Sequence, residues 1–357
     1  MESITRKITR KITLGGVPIG GGAPISIQSM LNVKTSRIQD ALEQLRALEM
    51  AGCDIARFSV MDMDDAFAIK TLKTGTSMPL VADIHFDPKL ALAAVENGSD
   101  GLRINPGNIA RRSDVQNIVS ACRERDIPIR IGVNGGSLPK DLLEKHGLSA
   151  PSMVEAALRH IRILEELDYH NLKVSVKASR VPLMLQSYRL LSSSVDYPLH
   201  LGVTEAGSAL CGSIKSSVAM GILLQEGIGD TIRVSLTAPP VQEVHVAREI
   251  LKALEIRKGL NIVSCPTCGR TRIDLQELTQ QVEEALAGYR DLPLTIAVMG
   301  CAVNGPGEAR EADFGLAGGD GEALLFAHGE IVKKVPEKDA VKELLELILR
   351  EGIRPCC

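Results

Sequence analysis

Leu80-Val81-Ala82-Asp83-Ile84-His85-Phe86, a helical pattern over 88–97 and Gly101-Leu102-Arg103-Ile104-Asn105-Pro106 form one unit: a β-rich run, an amphipathic helix and a second run. Outward from it the unit recurs between about residues 25 and 256. Runs at 25–30, 54–60, 80–86, 101–106, 127–134, 172–179, 199–204 and 231–236 read as strands. Helical patterns follow most of them, at 38–50, 88–97, 152–167, 214–225 and 241–254. Strands that are apolar throughout are buried on both faces, as in parallel sheets covered by helices. Eight such units predict a (β/α)8 TIM barrel. An open doubly wound sheet is the alternative, but it needs a glycine fingerprint opening the first helix, and none stands there. The glycine-rich 10–24 reads as a hairpin over the barrel's bottom.

After Arg257-Lys258-Gly259 the rhythm changes. A helix at 275–287, a strand at 294–299, a glycine-rich turn at 301–307, a hairpin of 323–326 and 331–335 turning at His328-Gly329, and a helix at 338–350 predict a smaller α+β domain. The expected division is a barrel over 1–257 and this second domain over 258–357.

Hydrophobic residues make up 45% of the 357-residue chain, enough for a large core, and no apolar run approaches a membrane span. There is no Trp and the net charge is −3, which argues against nucleic acid as a partner. The alternating start, 4–12, lacks the apolar core of a signal peptide, so a cytoplasmic location is expected. Thiols there stay reduced. Of the eight cysteines, Cys53, Cys122 and Cys211 read as small buried residues, and Cys356 and Cys357 as a frayed tail.

Barrel enzymes place their chemistry at the C-terminal ends of strands. Those ends carry Gln28, Arg57, Asp83, His85, Arg103, Asn105, Arg130, Asn134, Lys177, Ser179, Glu205 and Ser235. Any one of the four cations reads equally as a surface or salt-bridge residue. Four on apolar strands are costly to bury without counter-charge, and Asp83 and Glu205 cannot neutralise them all. An anionic ligand supplies what is missing, and arginine suits phosphate through its bidentate fork. Glu205, at a strand-to-glycine turn, is placed to act as a general acid, although neighbouring cations favour its ionised form. His85 is a second candidate proton donor. The long connection at 135–151 is a candidate lid.

Cys265-Pro266-Thr267-Cys268 is a C-x2-C turn, shared by zinc sites, redox dithiols and iron–sulfur centres. Cys301 follows an apolar strand and opens a glycine-rich turn ending at Glu308. Three thiolates are one short of the usual four for a cubane, so one iron is open or a non-cysteine ligand completes it. A zinc site wants four ligands, and His328 has no paired spacing, which leaves Glu308 as the better-placed fourth donor.

The stretches Pro18-Ile19-Gly20-Gly21-Gly22-Ala23-Pro24-Ile25-Ser26-Ile27-Gln28-Ser29-Met30, Ala82–Phe86, Leu102–Asn108, Gly132–Ser137 and Leu201–Gly207, with both cysteine motifs, resemble the 4-hydroxy-3-methylbut-2-enyl diphosphate synthase family of the non-mevalonate isoprenoid pathway. The resemblance runs from about residue 3 to about 345 and is to the shorter bacterial-type form. It implies reductive ring opening and dehydroxylation of 2-C-methyl-D-erythritol 2,4-cyclodiphosphate. It further implies an iron–sulfur second domain with a [4Fe–4S] cluster on Cys265, Cys268, Cys301 and Glu308, and reduced ferredoxin or flavodoxin as electron donor. It assigns Glu205 as acid, Asn304 near the cluster, and the strand-end residues to the diphosphate, with Arg57, Arg103, Arg130 and Lys177 foremost. Family members are homodimers in which one chain's cluster domain covers the other's barrel. Two other readings of the residues are a barrel lyase or transferase on a phosphorylated substrate with a structural zinc domain, and a non-catalytic iron–sulfur sensor.

Overall fold

A computed structural model describes residues 4–301 and 310–355. The chain separates into two compact units, Met1–Leu254 and Glu255–Cys357.

The first unit opens with a hairpin of β1 (Ile12–Leu14) and β2 (Val17–Ile19). Gly15 and Gly16 turn it with φ of 51° and 92°, the left-handed pair a two-residue hairpin turn requires. Ile12, Leu14 and Ile19 pack on Ile55 and Val81, near the starts of β4 (Ile55–Ser59) and β5 (Leu80–Asp83). The hairpin is thus an apolar plug at the N-terminal end, as its sequence predicts.

Around the plug stand β3 (Ser26–Met30), β4, β5, β6 (Gly101–Arg103), β7 (Ile129–Asn134), β8 (Leu172–Lys177), β9 (His200–Leu201) and β10 (Thr231–Ile232). Their order is β8-β7-β6-β5-β4-β3-β10-β9, parallel throughout. A parallel bridge between Val174 and Leu199 joins β8 to the segment entering β9 and brings the ring round. The fold is the expected (β/α)8 barrel.

The helices are α1 (Ile38–Met50), α2 (Met63–Thr74), α3 (Pro88–Glu96), α4 (Arg112–Glu124), α5 (Lys140–His146), α6 (Ala150–Glu165), α7 (Val181–Ser194), α8 (Ala209–Gln225) and α9 (Pro240–Ala253). Of these, α2, α4, α5 and α7 go beyond the expected set. The α4 signal is plain, since its buried Val115, Ile118, Val119 and Cys122 fall on one helical face. The start of helix α3 is set by Asp87, whose side chain accepts from Lys89 N, with Pro88 in the first helical turn. The candidate lid at 135–151 is largely structured, for α5 fills its middle and buries Leu142.

All eight strands are shorter than the expected runs, β9 and β10 most of all. β9 and β10 have two residues each, and beyond them single bonds remain, Arg233 N to Leu201 O at 2.9 Å and Thr204 N to Ala178 O at 3.4 Å. Of the scattered cysteines, Cys53 and Cys122 are buried, and burial pushes both thiols up to about 12. Cys211 is exposed on α8, contrary to expectation. No helix among the described residues is long and apolar enough to cross a membrane.

The second unit has one five-stranded sheet, ordered β11 (Asn261–Ser264), β12 (Thr295–Met299), β13 (Phe314–Gly318), β14 (Glu322–Ala327) and β15 (Glu330–Pro336). The first three are parallel and the last two antiparallel. Helices α10 (Leu275–Ala285) and α11 (Ala340–Arg350) share a core with it that includes Leu278, Val282, Val298, Phe314, Leu344 and Ile348. His328 and Gly329, at φ 50° and 82°, make the expected hairpin turn. β11 goes beyond the expected strands; its mostly exposed residues carry little hydrophobic signal.

Gly315 on β13 lies under the Phe326 ring, and a Cβ there would stand 2.4 Å from that ring and 2.6 Å from Ala297 O. Gly315→Ala is expected to destabilise this unit by about 1–3 kcal/mol, the usual cost of overpacking. Calorimetric melting of wild type and variant reads the shift.

Candidate active site

Alternate residues of a barrel strand point inward. At the C-terminal ends this places Arg57, Asp83, His85, Arg103, Arg130, Asn134, Lys177 and Ser235 around one cavity of about 160 Å3, with Gly132, Ser175, Thr204 and Arg233. Eight of the expected strand-end residues therefore meet at one mouth. Arg233 was not among them, although it lies two positions before Ser235 and so on the same face.

Charge is the dominant feature of the cavity. Asp83 sits between two arginines, with Arg103 Nη1 at 3.3 Å and Arg57 Nε at 3.6 Å. Burial opposes its ionisation, but the charges of Arg57, Arg103 and Arg130 together outweigh that and hold it below the usual carboxylate range. Glu243, reaching in from α9, stands 3.4 Å from Arg233 Nε and accepts from Ser29 Oγ at 3.0 Å. Arg130 and Lys177 have no ion pair among the described residues. Burial first, and neighbouring cations after it, push both well below their ordinary values. Burial brings Arg57 down to about 10.

The other contacts hold these groups in place. Met30 Sδ accepts from Arg57 Nη2 at 2.8 Å and lies 3.6 Å from Arg233 Nη1, a weak partner for two strong donors. Arg103 donates to Gly132 O at 3.0 Å, and a Cβ on Gly132 would stand 2.8 Å from its Nε. On Gly202 a Cβ would stand 2.7 Å from Lys177 Nζ. Glycine at these two positions is what lets the cationic side chains lie across the strands. His85 Nδ1 is 3.5 Å from Arg103 Nη1. A guanidinium only donates, so Nδ1 is the acceptor and a neutral ring carries its proton on Nε2.

Four expected residues lie elsewhere than in the lining. Asn105 exchanges two 2.9 Å hydrogen bonds with the Gly132 backbone and staples β6 to β7. Gln28 is buried inside the barrel with neither amide atom partnered. Ser179 and Glu205 are exposed. Glu205 follows the lining residue Thr204 and has φ 53°, a left-handed conformation that side-chain-bearing residues adopt only when their surroundings impose it.

In the second unit, Cys265 directly follows β11, and Cys301 follows β12 after Gly300. Those strands pair in parallel, Ser264 opposite Val298, so both loops leave one sheet edge. Gly300 N donates to Cys265 Sγ at 3.2 Å, and Arg272 N to Gly300 O at 3.1 Å. Cys268 is exposed, and hydrogen bonds from the backbone and side chain of Arg270 lower its thiol pKa. Three thiols on one edge, one already receiving an N–H bond on sulfur and one biased toward thiolate, are chemically suited to iron. Among the described residues no three His, Cys, Asp or Glu side chains converge as a single-ion site. Asn304 and Glu308 lie outside the described residues.

The GcpE TIM-barrel domain matches residues 9–248 and the GcpE protein C-terminal domain residues 261–350. The chain belongs to the GcpE family. It is 58% identical to the 4-hydroxy-3-methylbut-2-en-1-yl diphosphate synthase (flavodoxin) of Geobacter sulfurreducens, over 96% of this chain and 98% of that one. It is 54% identical to the synthase of the same name from Clostridium perfringens, over 97% and 99%. Among solved structures, dihydropteroate synthase of Yersinia pestis matches with a TM-score of 0.50 at 13% identity, over 69% of this chain and 97% of that one. That likeness concerns the fold alone.

Removing the Asp83 carboxylate of this GcpE-family barrel leaves Arg57 and Arg103 without their counter-charge. Asp83→Asn is expected to cost about 3–5 kcal/mol, as for other broken buried ion pairs. Added sulfate should restore part of the melting temperature in the variant and raise the wild type less. A variant melting like wild type would mean the arginines do not need this counter-charge. In the wild type, the folded pKa of Asp83 is depressed, so its contribution is present above the ordinary carboxylate pKa and lost as pH falls through the folded value.

Proposed function

We propose that this GcpE-family chain is an oxidoreductase that converts 2-C-methyl-D-erythritol 2,4-cyclodiphosphate to 4-hydroxy-3-methylbut-2-enyl diphosphate, the product for which its curated relatives are named. The observation that carries the substrate half is the surplus of buried positive charge at the barrel mouth, where Arg57, Arg103, Arg130, Lys177 and Arg233 face two carboxylates. A cyclic diphosphate supplies two negative charges on adjacent phosphorus atoms, the arrangement that arginine forks grip best. The reaction breaks the ring C–O bond to phosphate, consumes two electrons and one proton, and releases one water.

The chain's own side chains bind and position. Arg57, Arg103 and Arg130 take the phosphate oxygens, and Asp83 keeps the first two aligned. Lys177 and Arg233 answer the charge that develops as the ring opens, the kind of preorganised stabilisation that lowers such barriers most. Asn134, Ser235 and Thr204 offer hydrogen bonds to the carbon skeleton's oxygens. Glu205, held at positive φ beside Thr204, is the proposed proton donor to the departing hydroxyl, with Asn304 also in the catalytic set. Cys265, Cys268, Cys301 and Glu308 would hold a [4Fe–4S] cluster, which supplies electrons one at a time when bound. Flavodoxin is the proposed donor, in keeping with the relatives' printed names, with ferredoxin as the other candidate.

We further propose a cytoplasmic homodimer. Exposed Leu210, Ile214, Val218 and Ile222 repeat every fourth residue along α8, whose 17 residues include one charge, Lys215. An apolar stripe on a nearly uncharged outer helix fits burial against a second copy of the chain. Ile214→Asp should shift the sedimentation coefficient from dimer to monomer, and an unshifted dimer would remove this surface from the interface.

Anaerobic isolation tests the cofactor. A brown protein with about four iron and four sulfide per chain is expected, and Cys301→Ser should lose both colour and activity. A colourless protein with one zinc would favour the lyase or transferase reading. Arg233→Met should raise KM for the cyclic diphosphate about tenfold or more, the usual scale for a lost charged hydrogen bond, while leaving the visible spectrum unchanged.

A further inference from the structure

Beneath the mouth lies a second inward layer whose polar groups have no use in the reading above. Lys173 stands on β8 two positions before Ser175 and four before Lys177, both of which line the cavity, so the strand period turns it inward as well. It is 1% exposed, and its Nζ has no hydrogen-bond partner. Its register partner on β7 is Arg130, whose Nε is also unpartnered. From β9, fully buried His200 shares Nδ1 with Thr231 Oγ1 at 2.6 Å and leaves Nε2 unpartnered.

Three charged groups on or beside the surrounding strands act most on Lys173. Arg130 on β7 and Arg57 on β4 repel its ammonium, and Asp230 at the foot of β10 attracts it. Lys177, four positions further along β8, is a second buried lysine, pushed well below its ordinary value by burial and then Arg130, Arg233 and Arg57. His200 is neutral, because burial and then Lys177, Arg130 and Lys173 push it well below its ordinary pKa. β3 contributes only neutral Gln28 and Ser26. The Asp230 carboxylate is already committed to Arg6 at 3.2 Å, Thr9 Oγ1 at 3.0 Å and Leu199 N at 2.9 Å. Guanidinium groups stay protonated at any relevant pH, so in this crowd the two lysines are the groups that yield protons, and Lys173, whose Nζ has no hydrogen-bond partner, is the one beneath the cavity.

We propose that Lys173 is the positioning residue that couples proton uptake to substrate binding: its ammonium is disfavoured in the free barrel and restored when a cyclic diphosphate fills the mouth above it. The proposal rests on the diphosphate reading of that mouth. Burial, then Arg130 and Arg57, bring the free lysine down to about 7. Two phosphate charges engaging those same arginines cancel the field that kept it neutral, so its pKa rises on binding. The barrel floor therefore gains charge when loaded. A free barrel carries less buried positive charge, and the bound dianion gains a further cation below the arginines.

The sign of the linkage follows. A group whose pKa is raised by the ligand takes up a proton between its free and bound values, and affinity falls as pH rises across that window. Both acidic groups of a cyclic diphosphate are of the diester type and ionised throughout, so the proton taken up belongs to the protein. Titration calorimetry of the holoprotein with 2-C-methyl-D-erythritol 2,4-cyclodiphosphate, at pH 8 in buffers of different ionisation enthalpy, counts it. Lys173→Met should still bind, more weakly, and should take up close to one proton per substrate fewer than the wild type, the contribution of Lys177 being common to both. Above about pH 7, Kd should rise more steeply in the wild type than in Lys173→Met, by up to a further tenfold per pH unit. Binding without uptake, a flat Kd, or uptake undiminished in Lys173→Met would each overturn the coupling while leaving the substrate assignment intact. No binding at all would overturn the assignment, and the coupling with it.

Discussion

Six basic side chains, Arg57, Arg103, Arg130, Lys173, Lys177 and Arg233, turn toward the interior of one eight-stranded barrel, where Asp83 and Glu243 are the carboxylates that meet them. Like charges this close in a dry site repel strongly, and the fold accommodates them by specific means. Asp83 is shared between two arginines. Glu243 is delivered from outside the ring by α9 and ties Arg233, Ser29 and the backbone at Leu236 together. Met30 gives two guanidiniums a soft acceptor, one they can leave without losing a strong bond.

The apolar parts of the barrel make this arrangement sustainable. Its bottom is closed by the β1–β2 hairpin with Ile12, Leu14 and Ile19, and the outward faces of the strands are covered by helices whose buried residues are mostly apolar. Barrels of this architecture usually fill their interiors with branched aliphatic side chains. Here stability of the interior is exchanged for a charged cavity, which is the expected price of a site preorganised for an anion. The likeness to a dihydropteroate synthase at 13% identity shows how little the barrel itself says about chemistry.

In the second unit the deciding feature is parallel pairing. Because β11 and β12 run the same way, the loops after them leave the same edge, and cysteines 36 positions apart in the numbering, Cys265 and Cys301, belong to one neighbourhood. The Gly300 N to Cys265 Sγ bond is the local expression of that topology. An antiparallel pairing would have put the two loops at opposite ends of the sheet.

The sequence alone determined the barrel, the plug, the His328-Gly329 hairpin and the cationic character of the mouth, because each rests on short-range pattern: apolar runs of strand length, paired glycines, and basic residues where apolar ones belong. It also carried the family motifs, which are contiguous. Direction and partnership were settled only in three dimensions. Asn105 looks like a ligand in the chain but staples Gly132 across a strand, and Gln28 sits below the cavity rather than in it. Arg233 and Lys173 obey the same period of two as Ser235 and Lys177, yet attention to strand ends alone passes over them, since depth along a tilted strand depends on the register of its neighbours. A chain can state which residues are charged; which charges must share one dry volume is decided by the closing of the ring.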